Sequence, residues 1–518
     1  MASSSLPFGI ARLFANVRSA AQLDRESIAT FRIAAGCVLV ADALLRSRDF
    51  WLFFSPEGIF PLDTLQAYLD AGCWSLNFLN ESLWWQGVML AAEVAAGLSL
   101  IAGYFSSASC FVAWIVWTSI LKRTEPAANA GDYWMACLLY WGMFLPIGDM
   151  FSIDSLLQKK KKCATHSLAS AAFVTQVLAV YVYAGISKLQ GDWLNGSAVG
   201  YILSVHDHGT WVGELLNTSK IATSFLTTST LAIEIVGPFL FLLCGNRSVR
   251  RYIAFFFILF HISIWITLSV GMFSPIGITA WLALIPWHTH RTEPHSEEQN
   301  HNQGDRPFYQ YLENVRTYVV ITSLCVAGLA LFNNLISPGE KRPYWMTLAI
   351  NALTLEQSWG VFGRVGPQEQ WVTGKATLQD ASVVDLLRQG SHFNAVRPPG
   401  GFSSLPNHRW HKIFRELPKT RQSPLREDIA AGLVADWNRR HPNKKAVQTL
   451  EIYFTQVIHK NTGTAQEFPQ LNQEGVARDF APDTVLRQWL LASWPPRAHG
   501  SGNLDRFLEK TNRHRNNE

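Results

Sequence analysis

Long apolar stretches recur through the first two thirds of this chain, and they constrain its fold more than any other feature. A helix that crosses the hydrocarbon core of a bilayer needs about 20 such residues. The stretch after Arg251 can be read as one interrupted span or as two, because Gly271, Pro275 and Gly277 break it. The sequence therefore predicts an all-α multi-pass membrane bundle of about eight or nine transmembrane helices. The stretches lie at 28–46, 84–104, 106–121, 132–150, 168–188, 221–244, 251–270, 272–287 and 316–337.

The composition and the placement of charge agree with a membrane protein. Charged residues make up only 16% of the 518 residues, whereas soluble domains average about 25%. With nine helices, Lys159–Lys162 and Arg247–Arg251 share the side of the N-terminus, which the positive-inside rule assigns to the cytoplasm. Residues 25–338 are then the membrane domain, and residues 339–518 lie outside the cytoplasm. We expect membrane lipid as a partner and no nucleic acid.

Two further features concern targeting and metal binding. Residues 1–22 contain no short apolar core followed by a cleavage site, so we expect the first span to act as the targeting element. Residues 288–315 are polar, and the spacing of their histidines fits no metal site. We interpret this stretch as a solvated cytoplasmic loop and expect no metal. Its histidines are His288, His290, His295 and His301.

The tail from 339 to 518 has the pattern of a small α+β domain. Strand-like runs at 371–377 and 383–387 flank a turn, which predicts a hairpin. Residues 410–417 and 425–440 have helical spacing, and residues 450–457 alternate like a half-buried strand. Because no cysteine follows Cys325, the tail has no disulfide of its own.

Ionisable residues inside the apolar stretches are the first candidates for function. Each costs a few kcal/mol at membrane depth unless it is paired or faces a wet cavity. We interpret Arg32 and Asp42 as tied to neighbouring helices. The remaining ones are Glu93, Asp132, Lys188, Glu234 and His261.

Lys188, at the end of an apolar run, has two interpretations. At a membrane boundary its stem can lie along lipid while its ammonium reaches water. In a partly dry pocket a lysine loses its charge more easily and becomes a base near neutral pH. Tyr181, Tyr183 and Trp193 lie close by in sequence and could stack on a flat ring. We name Lys188 and His261 as candidate catalytic residues, and Tyr181, Tyr183, Trp193, Glu234 and Asp132 as candidate substrate-binding residues.

The stretch 181–196, Tyr-x-x-Ala-Gly-x-x-Lys-Leu-x-x-x-Trp-x-x-Gly, resembles the core motif of the vitamin K-dependent gamma-carboxylase family, whose membrane region is called the HTTM domain. Residues 31–42, 151–154 and 260–274 resemble other helices of the family in the same order, and the tail is similar at 409–410 and 450–457. The resemblance covers about residues 25–460. We interpret the chain as a bacterial-type relative in the cell membrane.

The resemblance implies an enzyme whose base, matching Lys188, deprotonates a reduced vitamin K-like quinone. In the family, oxygen and carbon dioxide then take part in epoxidation and in carboxylation of glutamate. The family's carboxylase has a catalytic histidine before its fourth helix, and Gly131 falls at that position here.

Two functions therefore remain in view. The first is an acid–base enzyme acting on a quinol-like, lipid-soluble substrate with carboxylase or epoxidase chemistry. The second is a non-enzymatic membrane carrier, or an assembly factor that binds an exported peptide or protein through its tail.

Overall fold

Helices dominate the first two thirds of the protein, and the sheet of the described residues begins at Gln368. The computed structural model describes residues 8–157, 167–204, 208–288, 306–394, 397–418, 423–441, 445–459 and 484–496. The main helices up to residue 353 are α1 Phe8–Ala20, α2 Arg25–Arg46, α3 Leu83–Ala102, α4 Ser106–Arg123, α5 Ala130–Gly142, α6 Leu168–Ser187, α7 Lys220–Leu243, α8 Arg247–Thr267, α9 Phe273–Leu282, α10 Arg306–Ile336 and α11 Tyr344–Leu353. Short helices join them at Phe50–Phe54, Leu62–Tyr68, Ile153–Leu157, Gly191–Leu194, Ala198–Ser204 and Trp211–Asn217.

Six candidate membrane spans are found among the described residues. They are α2 continued to Phe54, then α3, α6, α7, α8 and the part of α10 from Gln310. The three other predicted crossings correspond to α4, α5 and α9, and α5 and α9 are short. Proline residues follow both of these helices, Pro146 after α5 and Pro286 after α9, and proline ends helices. The multi-pass helical architecture is thus confirmed, with a core of six long apolar helices.

The interrupted stretch after Arg251 forms two helices. Between α8 and α9 the chain turns at Gly271, whose φ of +60° is a left-handed conformation that glycine adopts readily. Helix α10 also begins earlier than expected, at Arg306, so the predicted loop is shorter. His288 contacts Glu26 at 3.1 Å, while His290, His295 and His301 lie outside the described residues.

Arg32 and Asp42 do bind other parts of the fold, as predicted. The Arg32 guanidinium donates to the carbonyl of Ile101 at 3.0 Å, at the end of α3, where helical carbonyls have no partner within the helix. Asp42 accepts hydrogen bonds from Arg46 and from Arg409 of the tail, both described below.

The tail contains an antiparallel five-stranded sheet with strand order β3-β2-β1-β4-β5. Its strands are β1 Gln368–Leu378, β2 Val383–Asp385, β3 Ser391–His392, β4 Val447–His459 and β5 Thr484–Trp494. The helices α12 His408–Glu416 and α13 Ser423–Arg440 lie between β3 and β4. The predicted hairpin, both helices and the strand around 450–457 are therefore confirmed, whereas β5 was not predicted.

The tail packs against the segment that follows α2. Phe53, Phe54 and Phe60 share one buried apolar cluster with Trp410 and Phe414 of α12. The rings of Phe53 and Trp410 are 5.4 Å apart. Because this cluster is continuous, the tail and the helical bundle meet through a packed core at one end of the bundle, which we call the tail side.

Candidate functional site

A mostly apolar cavity of about 90 Å³ lies at the tail side between α6, α7, α8 and the tail. Five of the seven candidate site residues line it: Tyr181, Lys188, Trp193, Glu234 and His261. Tyr181, Ala184 and Lys188 reach it from one face of α6 because residues three and four positions apart lie on the same side of a helix. The structure thus brings into one chamber five candidate residues that are up to 80 positions apart in sequence.

Lys188 is buried in the cavity wall. Its side chain is 3% exposed, and its Nζ lies 2.8 Å from Oε2 of Glu234. The same nitrogen donates a hydrogen bond to the carbonyl oxygen of Val361 at 2.8 Å and lies 5.2 Å from the centre of the Trp193 ring. The ammonium therefore does not extend into lipid head groups or bulk water; it is held in a buried ion pair.

The close approach of α6 and α7 makes this pair. A Cβ at Gly185 would lie 2.6 Å from a side-chain carbon of Ile235 and 3.3 Å from the carbonyl carbon of Glu234. Only a residue without a side chain fits at this crossing without rearrangement. Gly185 thereby brings the carboxylate of Glu234 within reach of Lys188, one turn further along α6.

A second polar group lies in the cavity wall. The Tyr181 hydroxyl is 2.5 Å from Nε2 of His261 and accepts a hydrogen bond from Nε1 of Trp281 at 2.7 Å. Nδ1 of His261 is buried and has no hydrogen-bond partner among the described residues. Gly277 makes room for the imidazole, since a Cβ there would lie 2.2 Å from the ring. His261 is therefore fixed at one nitrogen and unengaged at the other.

Tyr183 and Asp132 lie outside the cavity. The Tyr183 hydroxyl donates to the carbonyl of Asn334 at 3.2 Å, on another face of α6. Asp132 lies in the first turn of α5, where its carboxylate accepts a hydrogen bond from the backbone N–H of Asn129 at 2.8 Å. Both side chains therefore bond to other parts of the fold and do not line the cavity.

Asp132 belongs to a buried cluster of charges that joins the bundle to the tail. Arg46 pairs with Asp42 at 2.5 Å and with Asp132 at 3.2 Å. Arg409 of α12 pairs with the same two carboxylates, at 2.6 Å and 3.3 Å. Although burial opposes its charge, Asp132 and Asp42 raise the pKa of Arg409. Two arginines thus pair with two aspartates in a buried setting.

The tail supplies cavity residues that sequence reasoning missed. Val361 and Phe362 line the cavity. The carbonyl of Phe362 accepts a hydrogen bond from Nε1 of Trp193 at 2.8 Å, as that of Val361 does from Lys188. These contacts use backbone atoms, which leave no signature in side-chain chemistry.

The site places an amine and a carboxylate in contact beside an apolar chamber. Two such groups attract each other strongly where the surroundings are of low polarity, and their desolvation offsets part of that attraction. The aromatic face of Trp193 offers a flat surface for a ring.

Comparison with known families agrees with this architecture. The HTTM domain model matches residues 21–286, more than half of the chain, and this region contains α2 to α9 and all five candidate site residues that line the cavity. The protein is a multi-pass membrane protein of the HTTM domain class. It belongs to the family of that domain, the domain of vitamin K-dependent gamma-carboxylases. No solved structure matches the chain.

Proposed function

We propose that the protein is a membrane enzyme in which the Lys188–Glu234 pair acts as the base toward a quinol-like, lipid-soluble substrate. The observation that carries the proposal is the enclosed contact of 2.8 Å between these two side chains at the wall of an apolar cavity. A lysine that only anchors a helix at the membrane surface needs neither a buried carboxylate nor a chamber.

The proton balance of the proposed step is simple. In the neutral state of the pair, the Lys188 amine accepts the hydroxyl proton of the substrate and becomes the ammonium form, while Glu234 keeps its own proton, so the pair gains the one proton that the substrate loses. The ammonium then lies beside the new oxyanion and stabilises it. The residues present fit a reduced quinone, because Trp193 offers a ring face and the unengaged Nδ1 of His261 offers a polar contact. Such a group supplies an easily oxidised anion.

The residues present give less support to carboxylation of glutamate than to deprotonation of a quinol. At the position where the related carboxylases have a histidine, a Cβ on Gly131 would lie 3.0 Å from the Cα of Phe273 and 2.9 Å from Asn129 Oδ1. The backbone leaves little room there for a side chain of any size. This observation favours a second candidate function, a carrier that binds a lipid-soluble small molecule in the same cavity without turnover.

The test uses the purified full-length protein in lipid nanodiscs with a synthetic naphthohydroquinone under anaerobic conditions. We expect the bound quinol to lose its proton at a lower pH than the free quinol, as seen in the absorbance of the anion. Lys188→Met, which we expect to be less stable but to be recovered as monodisperse, folded protein, should abolish this shift, whereas Lys341→Met, at an exposed lysine, should preserve it. A quinol that binds equally to all three proteins with no shift would refute the base and favour the carrier. Absence of binding would refute both.

A further inference from the structure

Arg409 lies in the buried cluster of charges, and its neighbours in α12 connect this cluster to the cavity. We propose that Arg409 is a positioning residue for the Lys188 cavity, because it holds α12 on the bundle and so fixes two parts of the cavity wall. The effect of Arg409 on activity rests on the proposed function, whereas its effect on the walls of the cavity does not.

The first step is the attachment of α12. Arg409 is the residue of the tail that enters the buried cluster, with Asp42 from α2 and Asp132 from α5. One nitrogen of its guanidinium, Nη2, contacts both carboxylates, and the planar group holds that nitrogen in a fixed direction, which the flexible side chain of a lysine does less well. The side chain is 12% exposed, and Asp42 and Asp132 are essentially buried. Ion pairs shielded in this way lose little to screening by salt.

The second step leads from α12 to the wall formed by the tail. The ring of His411, two residues after Arg409, stacks on that of His208 at 4.4 Å. His208 in turn contacts Phe362 edge to face at 5.1 Å. Phe362 and its neighbour Val361 are the residues whose carbonyls accept hydrogen bonds from Trp193 and Lys188.

The third step leads from α12 to the opposite wall. His408, one residue before Arg409, lies against the turn between α8 and α9, since a Cβ at Gly271 would be 3.3 Å from its Nδ1. The residues flanking this turn, Val270 and Phe273, line the cavity. A single helix therefore lies against the turn directly and reaches the tail segment through His208, and Arg409 attaches that helix.

The experiment measures the accessibility of Lys188 directly and needs no activity. The full-length protein in nanodiscs is treated with a small amine-reactive acylating reagent, and the rate of Lys188 modification is followed by peptide mass spectrometry. We expect Arg409→Gln to increase this rate at least fivefold, and Arg409→Lys to give an intermediate rate.

A matched control separates positioning from general loosening. Arg388 also makes a buried ion pair, with Asp385 at 2.6 Å, and it bonds the carbonyl of Val372, but all its partners lie in the tail. Arg388→Gln should leave the Lys188 rate at the wild-type value. A wild-type rate in Arg409→Gln, or an equal increase in both glutamine variants, would overturn the proposal. If Arg409→Gln is not recovered as monodisperse protein, Arg409→Lys decides by the same criterion.

The design also keeps this inference separate from the proposed function. Faster labelling in Arg409→Gln together with no pH shift of the bound quinol in the wild type would retain the positioning role and reject the base. Unchanged labelling in Arg409→Gln, together with a pH shift of the bound quinol in the wild type, would reject the positioning role and retain the base.

Discussion

The interaction free energy between Lys188 and Glu234 tests most directly whether the two side chains form a buried pair. The perturbation is a double-mutant cycle of Lys188→Met, Glu234→Gln and the two together. Each single change leaves one ionisable group in the cavity wall without its opposite charge. The double variant removes both charges and keeps similar side-chain volumes, so it isolates the energy of the interaction.

The magnitude follows from the geometry. At 2.8 Å between Nζ and Oε2, two unit charges attract by about 6 kcal/mol at an effective dielectric constant of about 20. Desolvation of both groups offsets much of this attraction, so a buried pair contributes little net stability. Removal of one partner, however, costs about 3–5 kcal/mol. We expect each single variant to lose about that much free energy of unfolding, and the double variant to lose at least about 3 kcal/mol less than the sum of the two.

The assay is equilibrium unfolding in mixed detergent micelles with increasing mole fraction of sodium dodecyl sulfate, followed by tryptophan fluorescence. A coupling of about 3 kcal/mol corresponds to a factor of more than 100 in the unfolding equilibrium, since about 1.4 kcal/mol is tenfold. Additive effects of less than about 1 kcal/mol each would resemble an exposed surface pair. Such a result would refute the enclosed site on which the proposed base depends.

Three other predictions concern close packing and pH. Gly277→Ala should displace the His261 ring and destabilise the protein by about 1–3 kcal/mol, seen as a lower thermal midpoint; an unchanged midpoint would contradict the tight contact. Gly185→Ala should separate α6 from α7 at Ile235 with a similar cost, and it should raise the Lys188 labelling rate, whereas a wild-type rate would show that the helices tolerate the methyl group. Burial lowers the pKa of His408 from 6.5 to about 4, so between these pH values the unfolded chain binds more protons and the free energy of unfolding falls as pH falls. Thermal midpoints at pH 7 and pH 5 should differ less in His408→Asn than in the wild type; an equal difference would contradict this assignment.

The sequence predicted the helical architecture and Lys188, the residue at the centre of the candidate site. Apolar stretches of membrane-spanning length predicted the helical bundle, because burial in lipid requires apolar side chains along a whole helix. Alternation and turn residues likewise predicted β1 and β4, and helical spacing predicted the two tail helices. The motif around Lys188 identified the face of α6 that lines the cavity. Helical geometry also explains why Tyr183 leaves that face: residues two positions apart, such as Tyr181 and Tyr183, point in different directions.

Only the tertiary structure decided what each ionisable residue contacts. Glu234 and Asp132 both lie in apolar stretches, and sequence alone treats them alike. The crossing of α6 and α7 at Gly185 places Glu234 beside a lysine and a cavity, whereas Asp132 pairs with Arg46 of α2 and with Arg409 of the docked α12. The sequence shows which ionisable residues lie in apolar stretches, where burial costs free energy. The partner that offsets this cost depends on how distant helices pack, and that packing is a property of the whole fold.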